Sequence, residues 1–566
     1  MLSLWLTAPG PSPQGEDRYS VVFPRRGGAD DASMSADPGT LTPASPHGRV
    51  LLFLLDETPR LRSVDPAEGP FLTHPSPIAS LEVRDLHEGV TVIFDRASRE
   101  RITSFPPPTD AVHNGLDELT GHFRVQAVFD CDSKEATGHL RAGNLLSEVV
   151  DVDLDANRAD SIELQWKSTI ERESLPVVEG VEWIEWKSEM LSKAAGHDVF
   201  HRAGVALPRD YHNIDAVRRH WPAVYAIPLV GDARQSALEF APALQSEYLH
   251  TAFPQAVWIC LDPSGANGNH AFVDSAANGP VTKALLQEFI PYLEQRYRLV
   301  AEPEARVLTG NGLGGFACLW LLLRANHVFS QAFVSAPEPV SMTHLGLLDL
   351  DTDRNGFTRV LSSGDVEELP ALRGILGPQD DRVFMTVREA IGMEFAMHPR
   401  GDSGERFDNW NAIFCELDGA TGTPRRLLDP SRGAINPVAA IEYSQFDILA
   451  ALRANPARIG PILADRAHIL VGARDSYYAQ RGIEALKAEL ESWRASAGRR
   501  KSAGSIEILA QRDRDAIQTD ARLRFGFAIN DWFRSQGLAD PLPNFDPKHP
   551  FRTPGVDAPI PGVPAR

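Results

Sequence analysis

Apolar residues fall along this chain in two rhythms. Over residues 1–165 they form strand-length runs rich in β-branched and aromatic residues, such as Arg49-Val-Leu-Leu-Phe-Leu-Leu-Asp56, Gly89-Val-Thr-Val-Ile-Phe-Asp95 and Gly121-His-Phe-Arg-Val-Gln-Ala-Val-Phe-Asp130. Polar or Pro/Gly stretches separate the runs and no long helical period competes with them, which predicts a β-rich, sandwich-like domain. The apolar start, Met1–Ala8, reads as its first strand, and residues 24–48 read as a surface loop rich in Gly, Ala, Ser, Asp and Pro. From about residue 196 the rhythm changes. Strand-like runs at 199–207, 222–230, 256–261, 306–309, 331–335, 467–472 and 505–510 alternate with helical stretches near 281–297, 314–325, 480–497 and 519–536. That alternation is the signature of a mostly parallel α/β sheet with helices on both faces.

Three further segments complete the organisation. Residues 166–195 are expected to link the two domains. About 341–460 lies between two strands of the second domain, too long for a simple connection, and is expected to form a large helical cap over the edge where such sheets bind ligands. The tail 537–566 is Pro-rich and expected to run in extended form.

Composition narrows the function. The 566 residues carry a formal net charge of -20, which repels phosphate backbones and argues against nucleic acid as a partner. No run of about 18 apolar residues proposes a membrane span. The first basic residue is Arg18, so the charged start of a signal peptide is missing, which points to a cytoplasmic protein. The four cysteines, Cys131, Cys260, Cys318 and Cys415, are far apart and read as reduced core residues. No Cys or His cluster proposes a metal site, and no cofactor is expected.

The most informative stretch is 306–324. It reads as an apolar strand, a Gly-rich turn and a buried helix, the context in which G-x-S-x-G presents a nucleophilic serine. Here the turn is Gly310-Asn311-Gly312-Leu313-Gly314, so the serine position holds Gly312, which has no side chain.

With the turn, Ser275-Ala-Ala-Asn-Gly-Pro280, Gln287-Glu-Phe-Ile-Pro-Tyr-Leu-Glu294, Ser335-Ala-Pro-Glu-Pro339, Thr386-Val-Arg-Glu389, Trp410-Asn411-Ala412 and Val471-Gly-Ala-Arg-Asp-Ser-Tyr-Tyr478 follow in order. In these segments the chain resembles the enterochelin-esterase-like, or esterase D-like, branch of the α/β-hydrolases. The resemblance implies an α/β-hydrolase domain and acyl transfer by a Ser-His-Asp triad. Carried over position by position, it puts Gly312 at the nucleophile, Asp475 at the acid and Arg514 at the histidine. No histidine lies between Asp475 and His549. Arginine stays protonated and cannot act as a base. The resemblance also implies an oxyanion hole from the backbone N–H of Leu313 and one near Val230–Asp232.

Two groups that perform the chemistry are therefore replaced. The expectation is a non-catalytic relative that binds a small acyl or anionic ligand, or a protein, near Leu313, Val230, Asp475 and Arg514. An active ester hydrolase with another catalytic group and a structural protein with a closed pocket are the alternatives. Possible substitutes are Cys318, Ser335, Ser341 and His270, while Arg514 is equally readable as a salt-bridged partner of Asp475. Asp351-x-Asp353-x-Asn355-Gly356 matches half of a calcium loop, but its twelfth position is Ser362 where a bidentate Glu is needed, so it reads as an acidic turn.

Overall fold

The computed structural model describes residues 17–22 and 43–538, apart from 59–60, 70, 88–89, 96, 111–112, 114, 133–137, 156–161, 173, 215–217, 229–232, 247–252, 375–379 and 500. The expected first strand at Met1–Ala8, most of the 24–48 loop, Val230 and nearly all of the Pro-rich tail lie outside the described residues.

In the N-terminal region nine strands join in one hydrogen-bonded sheet, antiparallel apart from one pair. Its central strand, Gly48–Asp56, pairs with Ile78–Val83 on one side and Gly121–Cys131 on the other. The run Val-Leu-Leu-Phe-Leu-Leu is buried on both faces. Val50, Leu52 and Leu54 enter a core of this region's own with Phe94, Phe129 and Trp166. Leu51 and Phe53, which point the opposite way, join the main core of the second domain. Period-two alternation sends one strand's side chains to two cores, which is why this strand is apolar throughout.

The second domain is an eight-stranded sheet. Its strands are Val181–Lys187 (β1), Phe200–Ala206 (β2), Ala223–Ile227 (β3), Val257–Leu261 (β4), Arg306–Asn311 (β5), Gln331–Ser335 (β6), Ala467–Gly472 (β7) and Ser505–Leu509 (β8). They lie in the order β1-β2-β4-β3-β5-β6-β7-β8. β2 runs antiparallel to β1 and β4, and the other neighbours are parallel. The helices used below are Leu313–Arg324 (α1), Val387–Met397 (α2), Arg406–Phe414 (α3), Ala479–Ser496 (α4) and Arg514–Ser535 (α5).

Two expectations are corrected. The stretch 166–195 is not a plain linker: it holds the end of strand Ile162–Thr169, the whole of β1 and the helix Glu189–Ala195. The sequence of β1, Val-Glu-Trp-Ile-Glu-Trp-Lys, mixes charges with apolar residues because it is an edge strand, paired on one side only. The last helix begins at Arg514 rather than 519, because the Asp513 side chain caps it by accepting from Ala516 N (2.9 Å).

Between β6 and β7 the cap holds two small strand pairs as well as helices. The segment Thr386-Val-Arg-Glu389 is a capping box at the start of α2: Glu389 N donates to the Thr386 hydroxyl (3.2 Å) and Thr386 N to the Glu389 carboxylate (2.8 Å). In Trp410-Asn411-Ala412, the Asn411 carbonyl oxygen accepts from Leu427 N (3.1 Å) and Tyr443 OH (2.9 Å), tying α3 to the rest of the cap.

Candidate active site and its neighbouring cavity

β5 delivers the chain to a sharp turn before α1. Gly312 sits there with φ 53° and ψ -123°, a conformation costly for any residue with a Cβ. The turn is crowded as well as sharp. A Cβ on Gly314 would lie 2.0 Å from the carbonyl oxygen of Ile227, so only glycine lets α1 approach β3. Gly312 N donates to Ser335 O (3.0 Å), and Gly312 O accepts from Glu338 N (3.1 Å) and Phe316 N (3.0 Å). The turn is sharp, and the residue at its tip carries no side chain. Leu313 opens α1, where no preceding turn supplies an acceptor for its N–H.

Asp475 follows β7 and is fully buried. Its carboxylate accepts from the backbone N–H groups of Tyr477 (3.0 Å) and Ala479 (3.1 Å). Arg514, also buried, meets it with a two-pronged contact: Nε donates to Oδ2 and Nη2 to Oδ1, each at 2.9 Å. Arg514 Nη1 donates to Glu338 Oε1 (2.5 Å), and Arg406 Nη2 donates to Glu338 Oε2 (3.1 Å). Two guanidiniums and two carboxylates thus alternate in one line, Asp475–Arg514–Glu338–Arg406. The ring of Tyr477 lies between the cations, with the Arg406 guanidinium carbon 4.4 Å and that of Arg514 4.6 Å from its centre. Burial opposes the Arg514 charge, but Asp475 and Glu338 outweigh it and hold its pKa above the ordinary guanidinium value.

The structure therefore brings Asp475 and Arg514 together, with Glu338 bridging to the Gly312 turn through its backbone N–H. An anion arriving at Arg514 would meet a guanidinium already shared by two carboxylates. Glu338 and Arg406 escaped the sequence reading. Glu338 left one signal, a lone acid within the apolar run 331–342, which demands a partner when buried. Arg406 left none, since the cap's folding alone brings it there.

None of the substitute nucleophiles or bases joins this site. Cys318 lies inside α1, where burial pushes its thiol pKa far up, away from the reactive thiolate. Ser335 contributes its carbonyl to the turn. Ser341 is wholly buried, and among the described residues its hydroxyl bonds to Thr343 (3.0 Å) and His344 (3.3 Å) in the same short turn. His270 lines a separate cavity of about 260 Å³ with His201, whose Nε2 has no hydrogen-bond partner among the described residues. Burial, and secondarily His201, pushes His270 down to about 3, and its Nδ1 accepts from Phe272 N (3.1 Å). Among the described residues, no histidine bonds to Asp475.

In the half calcium loop, Asp353 is ion-paired with Arg359 (2.6 Å), and the Asn355 side chain accepts from Phe357 N (2.8 Å). No group of three or more His, Cys, Asp or Glu suited to a metal occurs among the described residues. No described helix is long and apolar enough to cross a membrane.

Beside the ion chain lies a cavity of about 440 Å³, bounded by Tyr477 and Arg406, the cap, and Phe71 and Leu72 of the N-terminal region. Cap residues Met385, Met393 and Met397 give it a soft apolar wall.

The eight-stranded order, the glycine elbow and the cap between β6 and β7 define an esterase-like α/β-hydrolase fold. The family model described as "Putative esterase" matches residues 199–370, from β2 through the elbow into the cap. Solved structures similar to the chain include the enterobactin esterase of Shigella flexneri, 11% identical, covering 87% of this chain and 90% of that one at a TM-score of 0.32. The S-formylglutathione hydrolase of Staphylococcus aureus is 12% identical, covering 62% and 99% at 0.34. A ferulic acid esterase of Anaeromyces mucronatus is 14% identical, covering 64% and 95% at 0.32. No curated protein matches the chain.

Proposed function

We propose that this chain is a non-hydrolytic member of the esterase-like α/β-hydrolases, which uses the cavity beside its former active site to bind a small ligand with an acyl or aryl body. One observation carries the reading: the position that should hold a catalytic histidine holds Arg514, locked to Asp475 and Glu338, opposite a Gly312 that offers no nucleophile. An arginine so paired neither removes nor returns a proton, so both halves of acyl transfer lack their agent. What persists is a backbone turn, the Leu313 N–H and a cavity large enough for a small organic molecule. Arg514 serves the reading as a clamp rather than as an anion receptor.

The test is turnover of p-nitrophenyl acetate and butyrate by the purified chain between pH 5 and 9. No rate above buffer is expected, whereas Gly312→Ser combined with Arg514→His should yield weak hydrolysis. Hydrolysis by the unaltered protein that disappears on mutating a single group in the cavity would overturn the reading in favour of an enzyme with another catalytic group.

A further inference from the structure

We infer that the second cavity, between the start of β2 and the loop after β4, binds a small uncharged polyhydroxylated molecule, with His201 and His270 as its hydrogen-bonding partners. This site is separate from the cavity beside the elbow and does not depend on how that cavity is used.

The topology of the sheet places it. β2 runs antiparallel to β4, with Ala203 opposite Leu261. The start of β2 therefore lies at the edge where the parallel strands end, and Asp262 N donates across to Arg202 O (3.0 Å). Ligands bind along that edge in open α/β sheets. The cavity of about 260 Å³ is lined there by both segments and by Leu191 and Ala194 of the helix Glu189–Ala195.

His201 is only 6% exposed and lines this cavity. Packing rather than hydrogen bonding fixes its ring, which lies 4.7 Å from the ring of Phe289 and within 6° of parallel to it. Its Nε2 has no hydrogen-bond partner among the described residues. A buried polar atom left in that state is destabilising, so an occupant of the cavity that pairs with the imidazole is favoured.

His270 reaches the same cavity from a strained loop. Ala271 and Phe272 are both left-handed, with φ 48° and 51°, though neither is glycine. In that conformation Phe272 N donates to His270 Nδ1 (3.1 Å). With Nδ1 accepting, the proton of the neutral ring sits on Nε2, which becomes a donor. Asn267 supplies an acceptor: its amide nitrogen donates to Ala277 O (3.1 Å), which turns its oxygen to other partners.

The charges around the cavity are already matched. Asp198 pairs with Lys187 (2.7 Å), Arg202 with Glu185 (3.0 Å), and Asp262 approaches Arg234 (3.8 Å). Burial also holds His201 down to about 4 and, with His201 as a lesser cause, His270 down to about 3, so both rings are uncharged at neutral pH. A charged ligand would find no free counter-charge here. A hydroxyl donates and accepts at once, which suits an imidazole nitrogen, an N–H donor and an amide oxygen together. The two imidazoles are not a metal site, since no group of three ligating residues forms among the described residues. The volume lies just under the about 300–1,000 Å³ of ordinary ligand pockets, which fits a molecule between a triol and a monosaccharide.

The test titrates glycerol and D-glucose into the full chain at neutral pH. Each is run beside its acid, glycerate or glucuronate, and its amine, aminopropanediol or glucosamine. Binding is read from the imidazole resonances of isotope-labelled histidine, assigned with the two variants below. At least one polyol should bind and move the signals of both rings, and its acid and amine should bind at least about tenfold more weakly. His201→Phe keeps the stack on Phe289, and His270→Asn keeps an acceptor for Phe272 N. Each should weaken the polyol by roughly 3- to 10-fold, the loss of one neutral hydrogen bond. His201→Phe should not lower the melting temperature of the unliganded chain, because it removes the unpartnered nitrogen. Failure of both polyols to bind, equal binding of the charged counterparts, or an affinity unmoved by both substitutions overturns the inference and leaves a cavity that holds water only. If His201→Phe does not fold, His270→Asn and the charge series decide.

Discussion

Among the described residues two charge networks, one buried and one half-buried, differ in the cation at their centre. At the elbow, Arg514 lies between Asp475 and Glu338. Where the cap meets the N-terminal sheet, His398 lies between Asp130 and Asp402. Both are a cation held by two acids, but a guanidinium keeps its charge at every pH a folded protein meets, whereas an imidazolium can lose it. The protein thus places a titratable cation where the cap meets the N-terminal sheet and a permanent one beside the Gly312 turn. An aspartate beside a histidine is therefore not in itself a sign of catalysis, and the ion chain at the elbow is a joint of the same kind whose cation keeps its proton.

The comparison can be broken most forcefully at the elbow. Asp475→Asn should cost about 3–5 kcal/mol of stability, because it leaves Arg514 buried with half its compensation. Chemical denaturation measures this directly, and a loss below about 1 kcal/mol would show that the network is not a clamp.

The His398 joint should respond to pH where the elbow does not. Burial alone would discharge the ring, but its bonds to Asp130 and Asp402 outweigh that and lift it from 6.5 to about 9. Its contribution is therefore complete below pH 6.5, falls through the interval and is gone above about 9. Asp130 and Asp402 are held below their ordinary value despite burial, so their share is lost only in stronger acid. His398→Gln should destabilise by roughly 2–3 kcal/mol near pH 6 and by almost nothing near pH 10, read from urea midpoints of both proteins. A pH-independent difference would remove the titratable half of the comparison.

The smallest effect belongs to the turn. Gly312→Ala should cost about 1–3 kcal/mol, through the backbone conformation rather than any lost contact. A neutral outcome would mean that the turn relaxes to admit a Cβ.

Much of this could be read from the chain because the relevant physics is local. β5 and α1 announce themselves as an apolar strand and an apolar helix around glycines that nothing else can replace. β1 did not, because an edge strand with Glu182, Glu185 and Lys187 lacks the apolar run that marks its neighbours. The pair Thr358–Val360 and Val366–Glu368 was hidden for a related reason: it is largely exposed and buries no apolar face that would pattern its sequence. At the site, the family resemblance was what singled out Gly312 after β5, Asp475 after β7 and Arg514 after β8. Glu338 and Arg406 meet only when the cap settles over the sheet, a long-range outcome that no spacing records.

The doubly buried strand Gly48–Asp56 has a consequence for how the molecule comes apart. Since Leu51 and Phe53 belong to one core and Val50, Leu52 and Leu54 to the other, neither core can be exposed to water without stripping one face of the same nine residues. Melting of the sheet and melting of the hydrolase-like domain are thus one cooperative event. The N-terminal region behaves as a covalently attached half of a shared interior, and cutting the chain between the two would leave each fragment with an apolar surface that only the other can cover.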